Sequence, residues 1–549
     1  MKCTRAPRSL AIVIIAITTL AFIAAQSAIA VDRSKSQTAP PSAAPDAPET
    51  LPKPASFLRP VAYATGAHYA TSLAAADLNR DGILDLVIAN SCHTSGDGGS
   101  DCSDGGAVSV LLGNGNGMFH PTTIYNSAGT AASSIAVADV NGDNVLDLLV
   151  ANQCVSETDC TNGSIGVLLG NGDGTFQPAV SYVAGNGAHS VAVADLNRDG
   201  HLDLVVANAC LNSGSCNNGG VSVLLGNGNG TFQAPVTYSS GGQSADFVAI
   251  SDLNADGFAD VVVANQCVSK SNCNNGGVAV LLGNGNGTLR SATTYNSGGY
   301  SALSVAIADV NGDGRPDILA TSLCADANNC IDGIVGVLIS NGSGTFKSAV
   351  AYSSVGYGAS SVAIADLNGD GVPDLVVDNI CKTSSNCSKG GIALLPGNGD
   401  GTFQTPLVYN SDGNNATSVA AADLDGDGKA DIVTANYCTS KANCDAIVAI
   451  LLNSSLLKTT TAISSSLNPS AVGQAVTFTA TVTSSSSIPN GETMTFYQGN
   501  TVLGSKTTKD GTVSLMTTFS KSGTFTIKAK YPGDPFHKPS TGSLKQTVN

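Results

Sequence analysis

The sequence predicts an all-β protein, built as a seven-bladed β-propeller of four-stranded blades followed by a β-sandwich. Two observations carry this prediction: a motif that recurs seven times, and a change in composition after residue 453. The overall composition agrees, because 62 of the 549 residues are Gly, 12% are charged and no Trp is present. These values argue against a coiled coil, a long-helix protein and a charge-rich disordered chain. The formal net charge of −16 argues against a protein that follows nucleic-acid phosphates.

Residues 1–30 are predicted to be a secretory signal peptide. Basic residues near the start precede an apolar run from Leu10 to Ala25, and small residues follow, so cleavage is expected near Ala30. An uncleaved membrane anchor is the alternative interpretation of this run. Residues 31–55 are rich in Pro, Ala and Ser and are expected to form a linker. We therefore expect a secreted, extracellular or cell-surface protein with no membrane span in the mature chain.

Residues 56–454 contain the repeated motif, which reads Asp-x-Asn-x-Asp-Gly-x-x-Asp with small variations. Around each copy lie four short segments typical of strands, bounded by Gly, Asn or Asp and without helical periodicity. Seven units of four antiparallel strands predict a seven-bladed β-propeller. The copies begin at Asp77, Asp139, Asp195, Asp252, Asp309, Asp366 and Asp423.

The two ends of this region are expected to close it into a ring. The segment Phe57–Tyr63 matches the fourth strand of the other repeats, whereas the last repeat stops at Leu452-Asn453 without a fourth strand. The first segment can therefore complete the seventh blade, which gives 28 strands and leaves no open edge for another chain. A linear array of repeats is the alternative.

Each motif carries the oxygen donors that a hard divalent cation prefers. Side-chain oxygens at positions 1, 3 and 5 of a tight loop, with a carboxylate at position 9, can converge on calcium, and position 7 can add a backbone carbonyl. Gly at position 6, or Asn144 in the second repeat, supplies a left-handed turn. Alternatively, these side chains only cap turns, but seven loops with at least three carboxylates each would then carry uncompensated repulsion.

The candidate calcium ligands are Asp77, Asn79, Asp81, Asp85, Asp139, Asn141, Asp143, Asp147, Asp195, Asn197, Asp199, Asp203, Asp252, Asn254, Asp256, Asp260, Asp309, Asn311, Asp313, Asp317, Asp366, Asn368, Asp370, Asp374, Asp423, Asp425, Asp427 and Asp431. The loops lack the position-12 Glu and the flanking helices of an EF-hand. They resemble the calcium loops of FG-GAP/VCBS-repeat (integrin α-like) propellers, in which the loop joins the first two strands of a blade. This resemblance implies up to seven structural calcium ions. Asp425 replaces the usual Asn in the seventh loop, which adds a charge and is expected to tighten binding at that site.

Fourteen of the 15 cysteines form pairs, and each pair brackets the connection between the second and third strands of its repeat. In an exported chain this pattern predicts one local disulfide per blade. Thiolate metal sites and free thiols are the alternatives, and Cys3 is expected to leave with the signal peptide. The predicted pairs are Cys92–Cys102, Cys154–Cys160, Cys210–Cys216, Cys267–Cys273, Cys324–Cys330, Cys381–Cys387 and Cys438–Cys444.

Residues 457–549 lack Cys and are rich in Ser and Thr. Alternating stretches such as Val476–Val482 and Phe525–Tyr531 are typical of the strands of a β-sandwich. The segments Gly473–Phe478 and Tyr531–Asp534 resemble those of bacterial Ig-like domains. Such a domain implies a spacer or an adhesive unit.

No arrangement of residues demands catalysis, because the six His are scattered and most clustered Asp belong to the calcium loops. The favoured function is a calcium-binding extracellular binding or adhesion module. A polysaccharide-active enzyme or a lectin built on a calcium propeller is the alternative. We expect a monomer that binds an unknown extracellular protein or glycan and no nucleic acid. The candidate ligand face carries Tyr69, Tyr300 and Tyr357, expected in loops between blades, and Tyr437, which precedes a Cys.

Overall fold

The computed structural model describes residues 55, 57–93, 105–212, 216–327, 330–383, 387–440, 444–453, 458–484, 488, 490–533 and 537–549. The predicted signal peptide and the predicted linker up to residue 54 lie outside these residues. The chain divides into a repeat domain, Pro60–Leu452, and a C-terminal domain, Asn453–Asn549, with which residues 57–59 are grouped. Every regular element in the described part is a β-strand, so the all-β prediction is confirmed. No described helix could cross a membrane.

The repeat domain contains 26 strands in the described residues, paired antiparallel within each sheet. They are β1 (Val61–Ala76), β2 (Asp85–Cys92), β3 (Ala107–Leu111), β4 (Thr123–Asn126), β5 (Thr130–Ala138), β6 (Asp147–Cys154), β7 (Gly163–Leu168), β8 (Val180–Ala194), β9 (Asp203–Cys210), β10 (Gly220–Leu224), β11 (Val236–Ser239), β12 (Gln243–Ser251), β13 (Asp260–Cys267), β14 (Gly277–Leu281), β15 (Thr293–Asn296), β16 (Tyr300–Ala308), β17 (Asp317–Cys324), β18 (Ile334–Leu338), β19 (Val350–Ser353), β20 (Tyr357–Ala365), β21 (Asp374–Cys381), β22 (Gly391–Leu395), β23 (Leu407–Asn410), β24 (Asn414–Ala422), β25 (Asp431–Cys438) and β26 (Asp445–Leu451).

Two long strands each serve two repeats. The first part of β1 pairs with β26, so that Val61 lies opposite Ile450, and its second part pairs with β2. Strand β8 likewise pairs with β7 and then with β9. The strands therefore form seven sets of four, as the sequence predicts. We number these sets as repeats 1 to 7; the start of β1 provides the fourth strand of repeat 7.

Apolar residues of neighbouring repeats form shared cores. The second and third strands are buried on both faces, as in β2 and β3. Val87 of repeat 1 and Leu148 of repeat 2 belong to one cluster, and four further clusters join the following pairs up to repeats 5 and 6. Because each sheet needs a neighbour on its apolar face, the repeats stabilise one another.

An aromatic pair joins neighbouring repeats near their outer strands. A Tyr in the fourth strand of one repeat meets a Phe of the next, with ring centroids 5.5–5.8 Å apart and the rings nearly perpendicular. Edge-to-face packing of this kind adds about 0.5–1.5 kcal/mol beyond area burial. The pairs are Tyr63–Phe119, Tyr125–Phe176, Tyr182–Phe232, Tyr295–Phe346 and Tyr352–Phe403.

Repeat 7 contacts repeat 1 in the same ways. Tyr63, in the fourth strand of repeat 7, packs on Phe119 of repeat 1. The Leu73 N–H donates to Ser418 Oγ (3.2 Å), as the Ile135 N–H does to Ser72 Oγ (3.0 Å) between repeats 1 and 2. The first and last repeats are therefore joined by the contacts that join consecutive repeats.

The C-terminal domain consists of two sheets around one core. Strands β27, β28 and β31 form one sheet, and β30, β29, β32 and β33 form the other. Phe478, Phe496 and Tyr531 are fully buried in the core that both sheets share. The strands are β27 (Thr460–Ser465), β28 (Ala475–Thr483), β29 (Thr493–Gln498), β30 (Thr501–Thr507), β31 (Thr512–Thr518), β32 (Gly523–Tyr531) and β33 (Ser540–Val548).

Candidate metal centres

The seven acidic motifs form loops that join the first and second strands of the repeats, and we number them loops 1 to 7. In loop 1, position 1 is Asp77 and position 9 is Asp85, the first residue of β2. The residue at position 6 has a left-handed backbone in every loop, with φ between 62° for Asn144 and 86° for Gly200. The turn that the sequence predicts at this position is therefore present in all seven repeats.

Carboxylates at positions 1 and 5 organise each loop through its backbone. The position-1 carboxylate accepts the N–H of position 6 at 2.7–3.0 Å in all seven loops. The position-5 carboxylate accepts the N–H of position 7 at 2.7–3.0 Å. Turn capping and cation binding are compatible, because an ionised carboxylate offers about four lone-pair sites.

The buried carboxylate at position 9 has a role that the sequence analysis missed. Asp85 accepts the N–H of Leu78 (2.9 Å) through one oxygen and the N–H of Gly113 (2.8 Å) through the other. The same two contacts recur in repeats 2 to 6, so this residue ties the acidic loop to the turn after the third strand. Burial raises the pKa of the position-9 carboxyls of loops 1 to 6, to about 6 for Asp147 and Asp260.

Position 3 distinguishes loop 7 from the others. In loops 1 to 5 the Asn amide donates to the position-5 carboxylate at 2.9–3.3 Å. Asp425 cannot donate in this way, and oxygens of Asp423, Asp425 and Asp431 all lie within 4.8 Å of one another. Burial, and then the charges of Asp427 and Asp423, raise the pKa of Asp425. Lys429, which contacts Asp427 at 2.7 Å, offsets part of this repulsion. Converging carboxylate oxygens are a donor set that fits a hard divalent cation.

Two arginines connect neighbouring loops, and the sequence analysis did not identify them. Arg80 of loop 1 donates to the backbone carbonyl of Asn144 in loop 2. Arg198 of loop 3 donates to the backbone carbonyl of Gly257 in loop 4. Both lie at position 4, which no ligand pattern would single out.

The cysteines lie at the other end of the second strand from the acidic loops. Six of the seven predicted pairs form disulfides, with Cα–Cα distances of 3.9–4.9 Å. Cys102, the predicted partner of Cys92, lies outside the described residues. Each described disulfide closes the connection between the second and third strands of its own repeat, as predicted.

Comparison with known protein families decides the class of the repeat domain. FG-GAP-like repeats match residues 96–150, 155–206, 212–263, 252–320, 323–377 and 384–434, which together exceed half of the chain. The chain belongs to the FG-GAP-like repeat family. A bacterial Ig-like domain (group 3) matches residues 463–549, in agreement with the predicted Ig-like domain.

Individual relatives of these FG-GAP-like repeats are partial or distant. The phosphatidylinositol-glycan-specific phospholipases D of Mus musculus and Bos taurus are 30% and 31% identical over 167 and 171 residues, 27% of this chain. The matched region spans 20% of each phospholipase. The Vibrio cholerae (V. cholerae) biofilm matrix protein Bap1 matches with 12% identity and a TM-score of 0.34, over 73% of this chain and 89% of Bap1. Kuenenia stuttgartiensis hydrazine synthase matches with 13% identity and a TM-score of 0.42, over 68% and 93%.

The four candidate ligand-face tyrosines of the FG-GAP-like repeats do not form one site. Tyr69 and Tyr437 meet where repeats 1 and 7 adjoin, with ring centroids 4.6 Å apart, and burial, followed by Tyr69, raises the pKa of Tyr437 to about 12. Tyr300 and Tyr357 lie in repeats 5 and 6, opposite Cys324 and Cys381 in the strand register.

The expectation that three of these tyrosines lie in loops is wrong. Tyr69 lies within β1, and Tyr300 and Tyr357 begin β16 and β20. The first strand begins before a β-bulge in each repeat: in β1 the register shifts between Ala70 and Ser72, and Tyr69 precedes this bulge with φ of 62°. A bulge inserts an extra residue without ending the strand, which a sequence pattern of period two does not reveal.

Proposed function

We propose that this chain is a secreted, calcium-stabilised binding or adhesion protein without catalytic activity, whose FG-GAP-like repeats close into a seven-bladed β-propeller. The observation that carries the proposal is the convergence of three carboxylates, Asp423, Asp425 and Asp431, in a loop whose backbone geometry recurs seven times. The export component is supported by local disulfides, which persist mainly in oxidising compartments.

Propeller closure is supported by the junction of repeats 7 and 1. The start of β1 hydrogen-bonds with β26, and Thr417 Oγ1 donates to the Ala70 carbonyl (3.1 Å) across the same junction. An array without closure would leave β26 as an exposed edge, which proteins generally avoid.

Calcium would be held by the side chains at positions 1, 3, 5 and 9 of a loop, with a backbone carbonyl from position 7. When bound, the cation supplies positive charge that offsets carboxylate repulsion. The chain itself already connects the loop to the second strand and, through the position-9 carboxylate, to the turn after the third strand. Filling a loop would therefore stabilise all four strands of its repeat. Dissociation constants of about 10⁻⁴ to 10⁻³ M are expected, as for extracellular modules.

Thermal unfolding of the mature chain tests this role. Calcium at about 5–10 mM, at least about five times the expected dissociation constant, should stabilise the folded protein by mass action and raise the melting midpoint. The same protein in EGTA provides the reference, and magnesium at equal concentration and ionic strength controls for general screening. A midpoint that is identical in calcium and in EGTA would refute structural calcium binding.

The face that carries the disulfides is the proposed contact surface for an extracellular protein or glycan. The Tyr69–Tyr437 pair presents two partly exposed rings beside His68, which contacts Asp445 at 3.2 Å. Aromatic rings with a polar end are common in recognition surfaces. A glycan array probed with and without calcium, using the natural chain and Tyr69→Ala, tests a glycan ligand. The phospholipase activity of the relatives is not proposed here, because the match spans only a fifth of their length.

A further inference from the structure

Position 4 of the acidic loops varies in a way that the ligand pattern does not explain. It has a left-handed backbone in every loop, and residues other than Gly are uncommon in that conformation. Loops 1 and 3 nevertheless carry Arg80 and Arg198, with φ of 62° and 61°. The other five loops carry small residues at this position: Gly142, Ala255, Gly312, Gly369 and Gly426.

The Arg198 side chain reaches from loop 3 to loop 4. Its guanidinium donates to the Gly257 carbonyl, and its Cζ lies 4.3 Å from the centroid of the Phe258 ring. Gly257 and Phe258 are positions 6 and 7 of loop 4. A guanidinium can use both contacts at once, because it is a planar donor that also stacks on aromatic faces.

The peptide group that Arg198 contacts is held tightly within loop 4. The Gly257 N–H donates to Asp252 (2.8 Å), and the Phe258 N–H donates to Asp256 (2.8 Å). Arg198 thus contacts the peptide immediately before the position-7 carbonyl, which is the expected backbone ligand of loop 4. A change in the orientation of this peptide would change the position of that oxygen.

Arg198 is also fixed to its own loop. Its backbone N–H donates to the position-1 carboxylate, Asp195, at 2.7 Å. A continuous path of contacts therefore leads from the position-1 carboxylate of loop 3, through Arg198, to the position 6–7 peptide of loop 4. Arg80 makes the corresponding carbonyl contact from loop 1 to loop 2.

We propose that Arg198 couples divalent-cation binding at loops 3 and 4, and that Arg80 couples loops 1 and 2. The proposal rests on the proposed calcium binding and goes beyond it. Arg198 is a positioning residue. Its guanidinium orients the Gly257–Phe258 peptide, which precedes the position-7 carbonyl of loop 4. A cation in loop 3 would hold Asp195, which accepts the backbone N–H of Arg198, and so would fix the backbone of Arg198. Such coupling is reciprocal, so that each loop changes the cation affinity of the other by the same factor, and factors of about 5 or more are typical of allosteric pairs of sites.

The absence of Trp from the chain allows a local reporter. Phe258→Trp places a single tryptophan in loop 4 and retains an aromatic ring beneath Arg198, since Trp is the strongest partner for such stacking. Calcium titrations then follow loop 4 by tryptophan fluorescence. Loop 3 is weakened by Asp199→Asn, which removes a position-5 charge without touching the hydrogen bonds of Arg198. Asp313→Asn makes the same change in loop 5, which no arginine joins to loop 4, and is the matched control.

Asp199→Asn should raise the calcium midpoint of the reporter about 5-fold, and Asp313→Asn should change it less than 2-fold. In the Arg198→Ala background, Asp199→Asn should have no further effect, so the four proteins form a double-mutant cycle. Calcium-free melting curves verify that each variant is folded.

Equal shifts from Asp199→Asn and Asp313→Asn, or a shift that persists without Arg198, would overturn the coupling. If the tryptophan fluorescence does not change with calcium while calcium still raises the melting midpoint, the coupling is overturned but the proposed calcium binding is not. If calcium changes neither the reporter fluorescence nor the melting midpoint of the unsubstituted chain, the proposed function itself is overturned.

Discussion

Replacing Asp425 by Asn gives loop 7 the position-3 residue of the other six loops, and the structure predicts opposite effects with and without calcium. The oxygens of Asp423, Asp425 and Asp431 lie within 4.8 Å of one another. At that separation two charges repel by about 0.9 kcal/mol at a dielectric constant of 80 and about 3.5 kcal/mol at 20. Because loop 7 is partly exposed, the lower value applies, and Asp425→Asn should stabilise the calcium-free protein by about 1 kcal/mol.

With calcium present, the same substitution removes a negative charge from the candidate ligand set. The affinity of loop 7 should fall about tenfold, which corresponds to about 1.4 kcal/mol. Calorimetric calcium titration would measure the affinity, and denaturant unfolding in EGTA and in calcium would measure the two stabilities. Asn254→Asp is the matched control, because it gives loop 4 the extra carboxylate and should reverse both signs.

Destabilisation of the calcium-free protein by Asp425→Asn would show that the three carboxylates do not repel as their separation implies. An unchanged calcium titration would show that Asp425 is not a ligand. Either result would refute the reasoning for loop 7.

Three further predictions concern the repeat domain. Asp378 is fully buried, accepts a hydrogen bond from Thr434 Oγ1 (2.6 Å) and has one oxygen without a hydrogen-bond partner. Burial raises its pKa well above the ordinary value. The double substitution Asp378→Ala with Thr434→Val should therefore raise the free energy of unfolding by about 1–3 kcal/mol. A raised carboxyl pKa makes the stability of the folded state fall as the pH rises above about 4. The gain from the double substitution should therefore be larger at pH 8 than at pH 5 in denaturant titrations. A gain that does not depend on pH would contradict the raised pKa of Asp378. Phe232→Ala should lower the free energy of unfolding by about 3–5 kcal/mol, because the contact with Tyr182 is lost. Phe232→Leu introduces the residue found at the same place in repeat 4, Leu289, and should lower the free energy of unfolding by less than about 1.5 kcal/mol. Removal of a single disulfide, by replacing both of its cysteines with Ala, should lower the free energy of unfolding by about 2 kcal/mol. An unchanged unfolding midpoint would show that the disulfide does not stabilise the fold.

Local features were predictable from the sequence because they depend on spacing. The turn at position 6 follows from a Gly or Asn at a fixed place, and the Cys pairs lie six residues apart in the described disulfides. The four-stranded sets follow from the repeat, and the C-terminal family from its strand and turn segments.

Contacts between repeats were not predictable in the same way. Arg198 meets Phe258 only because consecutive acidic loops lie side by side, and nothing in the spacing of either loop reveals this. Asp378 is a single acidic residue where five repeats carry Ala, so no periodic pattern draws attention to it. Tyr69 was assigned to a loop, but it lies within β1 just before the bulge, with φ of 62°, and packs on Tyr437 of repeat 7. Each of these depends on packing across a junction rather than on order along the chain.

The shared strand β1 has a consequence for how the chain is made. Val61 is synthesised early, but its partner Ile450 leaves the ribosome only after six repeats have been translated. Until then the first strand has no partner on one side, and the cost of joining it to β26 grows only slowly with the length of chain between them. Premature termination within repeat 7 would leave that partner missing, so truncated products should aggregate or be degraded while full-length chains escape both fates.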